Sequence, residues 1–293
     1  MKILFSIIFL FLLLNLKGRA DENLLDELDS ISEPKVEYET SAFKTTRIVS
    51  GHSIQSMKEG ELEFRISHRF GSVNSGVDGF WGLDQSTIFL SLEYGITDWL
   101  ELGIGRTSNE KTVHGFAKIG LLKQSKGEVN IPVSLSYFAS AGINTMSWND
   151  PKRENFFTSR LSFTHQLLIA RKFNEYFSLQ LTPTLIHLNL VPTALDDNDI
   201  FALGIGGRYK ITNRVSLNME YFYVARPTWN IENDFVNPLS IGVDIETGGH
   251  VFQIMLSNSL GMIEKHYIAD NTGSWSKGDI HLGFNISRVF TLY

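Results

Sequence analysis

The 293-residue sequence contains no cysteine. That excludes a disulfide framework, a thiolate metal centre and lipidation of an N-terminal Cys. Beyond the first twenty residues no window of eighteen consecutive apolar residues occurs, which excludes a transmembrane helix there. Basic charge is also in short supply: Lys and Arg total 26 against 32 acids, for a formal net charge of −6. Such a balance leaves no footprint for a nucleic-acid partner. No Walker loop, His-Glu-x-x-His or Gly-x-Ser-x-Gly is present, so the common nucleotide, zinc-hydrolase and esterase signatures are missing. The eight histidines include no i, i+2 or i, i+4 pair, and no metal or cofactor is expected. His114 and His281 fall on the polar parity near one rim and are the best-placed pair for a metal.

What is present begins with a secretory signal. Lys2 supplies the positive end, Ile3 to Leu14 are apolar apart from Ser6, and Gly18 and Ala20 are small. Cleavage after Ala20 is the expectation, giving a signal peptide over residues 1–20. As a helix the apolar run would rise only about 20 Å, short of a hydrocarbon core of about 30 Å. Residues 21–39 hold eight acids against Lys35, while Lys2, Lys17 and Arg19 lie before them, so about −2 remains for residues 40–293. Residues 21–42 are read as an acidic flexible segment. Residues 43–293 are read as one β-domain.

That domain alternates apolar and polar residues with the period of a strand. Leu62, Phe64 and Ile66 oppose Glu61, Glu63, Arg65 and Ser67. Val215, Leu217, Met219, Tyr221 and Tyr223 oppose Ser216, Asn218 and Glu220. Twelve strands are predicted, near 61–70, 84–94, 99–107, 112–122, 128–139, 158–171, 176–190, 200–210, 214–224, 238–246, 250–258 and 279–290. Long and short connections alternate between them, with 108–111 the exception. That rhythm, with strands long enough for a tilted crossing, predicts a closed antiparallel up-and-down transmembrane β-barrel. Closure follows from physics, because an open edge in lipid leaves N–H and C=O groups unsatisfied. Aromatic pairs near strand ends, such as Tyr94 with Trp99 and Tyr176 with Phe177, suit interfacial girdles. Pro132 and Pro183 fit less well, since each removes a ladder donor inside a predicted strand. Gly103-Ile104-Gly105 and Gly204-Ile205-Gly206-Gly207 lie within strands with no helix following, so packing or curvature explains them better than a nucleotide loop.

If the apolar face meets lipid, the polar parity lines the lumen. The lumen-facing candidates are Glu61, Glu63, Arg65, Arg69, Glu93, Glu101, Lys118, Arg160, Arg208, Glu220, Asp244, Glu246 and Asp279. Two readings stay open: a polar pore with weak cation preference, or charges that pair across the lumen and close it. Whether residues 40–58 plug the barrel is not decided by the sequence.

Several segments resemble an uncharacterised family of exported, outer-membrane β-barrel proteins of Bacteroidota. They are Phe43-Lys44-Thr45-Thr46-Arg47 with Gly51-His52-Ser53, then Ser67-His68-Arg69-Phe70-Gly71, Gly82-Leu83-Asp84-Gln85 and Tyr94-Gly95-Ile96-Thr97-Asp98. Gly248-Gly249-His250-Val251-Phe252-Gln253 and Asn285-Ile286-Ser287-Arg288-Val289-Phe290 complete the set. The resemblance implies fold and an outer-membrane location and transfers no catalytic residue. The expected function is a passive channel or binding pore for small polar solutes, in contact with outer-membrane lipid. Two alternatives are carried: a scaffolding barrel with a closed lumen and a periplasmic partner of the acidic segment, and a lipid-modifying enzyme using His165 or His187. No serine shares the outward parity of those two histidines within their strands, and no catalytic residue is assigned.

Overall fold

The computed structural model describes residues 36–148, 150–191, 193, 196–226 and 235–292. The expected signal peptide and residues 21–35 lie outside them. Twelve strands form one closed antiparallel barrel: β2 (Glu61–Ser72), β3 (Ser86–Thr97), β4 (Leu100–Thr107), β5 (Val113–Leu122), β7 (Ser134–Ile143), β8 (Leu161–Lys172), β9 (Phe177–Leu188), β10 (Asp199–Lys210), β11 (Val215–Ala225), β12 (Leu239–Thr247), β13 (His250–Ser257) and β14 (His281–Thr291). Each pairs with its neighbour in sequence, and β14 closes the ring on β2 through Ile286↔Ile66. Two short strands, β1 (Val36–Tyr38) and β6 (Ser125–Gly127), pair with each other outside the barrel. Residues 36–38, inside the segment read as flexible, are thus tied to a turn.

The faces of the strands decide between a soluble and a lipid-bound sheet. Buried positions on β2 are Glu63, Arg65, Ser67 and Arg69, while Phe64 is exposed. Leu90, Leu92, Ile104, Leu217, Met219 and Ile254 point out and are exposed. A soluble sandwich buries its apolar row; this barrel buries its polar one, which is the pattern required where the outer solvent is hydrocarbon.

The connections leading into β4, β7, β9, β11 and β13 lie at one end, with the first and last strand ends, and four of these five are two to four residues long. The other end carries the connections 73–85, 144–160, 189–198, 226–238 and 258–280, together with the short β4–β5 link at 108–112. The fifth barrel strand departs from the predicted 128–139. It runs Ser134–Ile143, and Pro132 lies before it, next to a bridge between Ser125 and Ile131. A chain lacking the proline N–H turns there instead of joining the ladder. Pro183 does sit in β9, opposite Leu203. On its other side the pairing with β8 skips from Gln166↔Thr184 to Ile169↔Leu181, so the missing donor leaves a local gap without shifting the register.

Ile254 occupies the middle of the outward row of β13. Replacing it with Arg should lower the unfolding free energy by about 2–4 kcal/mol, as for a charge near the bilayer midplane. Urea titration of the lipid-embedded barrel measures this, and a change within about 0.5 kcal/mol would mean that the face is wet.

Candidate functional site

The lumen is filled from both ends. From the short-turn end, residues 42–57 run inward, reverse and return to β2. The reversal is a tight turn closed by an Ile48 N–H to Gly51 carbonyl bond of 2.9 Å and an Arg47↔His52 bridge. From the long-loop end, the β13–β14 connection folds inward and winds one π-helical turn, Lys265–Ala269, with Met262, Ile263, His266, Tyr267 and Ile268 buried.

The wall is built to hold the inner segment by its backbone. The Glu220 carboxylate accepts from the amides of Val49 at 3.2 Å, Ser50 at 2.7 Å and Gly51 at 3.0 Å. Glu101 accepts from the Met57 amide at 2.8 Å, and Lys118 pairs with Glu101 at 3.3 Å while donating to the Gln55 carbonyl. Gln180, Gln253 and Asn285 donate to the carbonyls of His52, Ile48 and Val49. Without strand partners of their own, these buried peptide groups find side chains. Apolar contacts assist: Phe43, Ile48, Val49 and Ile54 cluster with Phe116, Phe138 and Leu168. Gly206 has a packing reason, since a Cβ there would lie 2.5 Å from Ile48 Cδ1.

A second network surrounds Arg47. Its Nη2 donates to Glu93 Oε1 at 2.8 Å, and its Nη1 lies 2.6 Å from His52 Nδ1. Arg65 donates to Glu63 Oε1 and to Thr46 Oγ1, each at 2.6 Å, and Thr46 donates to Glu93 Oε2 at 2.8 Å. Arg69 donates to Asn285 at 3.1 Å and to the Ser50 hydroxyl at 3.3 Å. Arg208 donates to the Ala42 carbonyl at 3.4 Å, and Asp244 accepts from Gln253 at 2.8 Å.

Four of the thirteen predicted lumen residues sit at the rims. Glu61 accepts from the Lys58 amide at 3.1 Å and Glu246 pairs with Lys44. Arg160 and Asp279 line the opposite mouth. The residues that hold the inner segment from its own side, Thr46, Arg47 and His52, carry no period-two signal. In the sequence they stand only within Phe43–Arg47 and Gly51–Ser53, two of the segments that carry the family resemblance.

Above the inward-folded turn, a cavity of about 900 Å³ opens at the long-loop end, lined by Asn109, Arg160, Leu190, Lys265, Asp270 and Asp279 among others. Its floor meets the inner segment at Glu264, whose carboxylate lies 3.3 Å from His114 Nε2 and 3.8 Å from His52 Nε2. His281 faces the Phe70 carbonyl instead, so His114 and His281 have separate partners. One residue along, Lys265 bridges Glu110 at 2.8 Å and Asp270 at 2.7 Å. The hydrogen bond from His266, with help from Lys265, holds the Glu110 carboxyl down at about 2. Burial opposes the Lys265 charge, but Asp270 and Glu110 raise its pKa above the ordinary value. On the outer wall, His165 Nδ1 lies 2.6 Å from the Tyr137 hydroxyl and His187 Nδ1 lies 2.7 Å from Asp199.

Comparison with known proteins gives a family and a fold. The family described as "Membrane bound beta barrel domain (DUF5777)" matches residues 43–290. No curated protein matches. Among solved structures, the NanC porin is similar with a TM-score of 0.50 at 7% identity, over 78% of this chain and 98% of that one. The COG4313 outer membrane channel from Pseudomonas putida F1 is similar with a TM-score of 0.49 at 14% identity, over 81% of this chain and 98% of that one.

Two outcomes follow from this geometry. Glu220→Ala leaves three buried amides without their acceptor, at a cost of about 1–3 kcal/mol for groups of this kind. Hydrogen exchange at Val49–Gly51 should speed up roughly 5- to 150-fold with the barrel ladder unchanged; unchanged exchange at the tip would mean that Glu220 does not seat it. Glu110→Gln tests the floor. A depressed carboxylate stabilises above its ordinary 4.5 and loses that contribution as pH falls through about 2. A raised amine stabilises below its ordinary 10.5 and loses it as pH rises beyond. The stability difference between wild type and Glu110→Gln should therefore stay flat from about pH 5 to 10 and shrink outside that window. Urea titrations at several pH values measure it, and a difference that grows toward low pH would contradict the pairing.

Proposed function

The chain belongs to the membrane-bound β-barrel domain family over residues 43–290, and from that premise we propose that it is a gated outer-membrane channel for small polar solutes. One observation carries the reading: a polar cup of about 900 Å³ is open at the long-loop end and ends on an interior segment instead of a continuous wall. That segment is held largely by hydrogen bonds from lumenal side chains, and water can replace such bonds when the segment moves. The NanC porin, similar in fold, is a porin by its name. The signal sequence and the resemblance to exported barrels of Bacteroidota support an outer-membrane location, with the short turns and the acidic N-terminal segment in the periplasm. A periplasmic partner for that acidic segment belongs to the second reading.

The second reading, a closed scaffolding barrel, is favoured by the buried ion pairs that fill the lumen at the level of Glu63, Glu93 and Arg65. A lipid-modifying activity receives less support. Among the described residues, His165 and His187 hydrogen-bond to Tyr137 and Asp199 and to no serine hydroxyl, so we assign no catalytic group.

Single-channel recording in planar bilayers separates the two leading readings. Wild type should show small or rare openings, and deletion of residues 43–57 should raise conductance at least tenfold. If the deleted barrel, shown to be folded by its heat-modifiable gel mobility, also fails to conduct, the scaffolding reading replaces the channel.

A further inference from the structure

Glu110, His266 and Asp270 converge on the vestibule floor from two separate loops, with one ligand atom of each within 4.8 Å of the others. Glu110 comes from the β4–β5 connection, His266 lies within the inward π-turn and Asp270 caps its end. The His266 side chain is 1% exposed. Its Nε2 is aimed into the cluster, 3.2 Å from Glu110 Oε2, and its Nδ1 has no partner among the described residues. A buried imidazole facing two carboxylates is a donor set of recognisable chemistry. Zinc–ligand distances of about 2.0–2.1 Å put two ligands of a tetrahedron about 3.4 Å apart, so the observed His266–Glu110 spacing needs little change. An imidazole among oxygens suits a first-row divalent ion, whereas Mg²⁺ and Ca²⁺ take oxygen shells.

The place between the carboxylates is held by the Lys265 ammonium, at 2.8 and 2.7 Å. Two carboxylates and one ammonium leave a formal charge of −1, which favours exchanging the monovalent cation for a divalent one. Lys265 also borders the cavity, so its flexible stem has water to swing into. We propose that Glu110, His266 and Asp270 form a site for a first-row divalent cation, with Zn²⁺ as reference, and that the ion binds by displacing the ammonium of Lys265. This goes beyond the channel reading and does not require the barrel to conduct.

Isothermal titration of the mature barrel in detergent with ZnCl₂ near neutral pH tests it. Wild type should bind one equivalent saturably. Lys265→Met, which removes the resident competitor, should bind about tenfold more tightly, and His266→Ala at least tenfold more weakly. Heat-modifiable mobility certifies that each variant is folded, and His266→Gln serves if the smaller side chain fails that check. Co²⁺ in place of Zn²⁺ should give a visible absorption band that His266→Ala abolishes. The proposal is overturned if wild type shows no saturable binding. It also fails if only Lys265→Met binds, because the lysine then owns the place. Equal binding by His266→Ala and Asp270→Asn would put the ion elsewhere and would overturn it too.

Discussion

Two buried carboxylates, Glu63 and Glu93, face each other directly across β2 and β3, and much of the interior is arranged to neutralise them. Like charges in register oppose strand pairing, and an uncompensated charge in a dry interior costs several kcal/mol. β2 itself contributes Arg65. The second cation is Arg47, on the inner segment, with Thr46 bridging the two acids. The wall is therefore incomplete without the segment that fills it. Pulling residues 42–57 out would return two carboxylates to a lumen that must then fill with water to solvate them.

The same dependence runs in the other direction. An inner chain with no sheet partner carries peptide groups that need acceptors and donors. Glu220, Glu101, Gln180, Gln253 and Asn285 supply them from inward-facing positions on five different strands. Lipid outside and peptide inside thus act on alternate residues of each strand. The outward row must be apolar because hydrocarbon solvates nothing else, and the inward row is largely polar because the occupant is a backbone, with Phe116, Phe138 and Leu168 meeting its apolar side chains.

That alternation is why the barrel could be read from sequence with little help. A period of two survives single exceptions, and eleven of the twelve expected strands overlap the observed ones closely. The fifth strand slipped because Val129, Ile131 and Val133 keep the alternation while Pro132 interrupts the ladder. Parity also picked out inward charges such as Glu63, Glu220 and Lys118. It could not say what they hold, because the partners are distant in sequence and lie in irregular chain. Thr46, Arg47 and His52 obey no period, and neither do Glu264, Lys265 and His266. Their positions depend on which loops fold inward, and that is decided by tertiary contacts such as Tyr267 against Phe222, with ring centroids 5.4 Å apart.

The two inward segments are not independent. Glu264 belongs to the floor of the vestibule, yet its nearest cationic-capable neighbours are His114 on the wall and His52 on the inner segment. Lys265 and His266, next along the chain, face Glu110 instead. One turn therefore presents successive residues to the vestibule cluster and to the tip of the inner segment. The two sets of contacts are thus joined by the single peptide link between Glu264 and Lys265. The barrel wall frames both segments, since each of its strands is hydrogen-bonded on both sides.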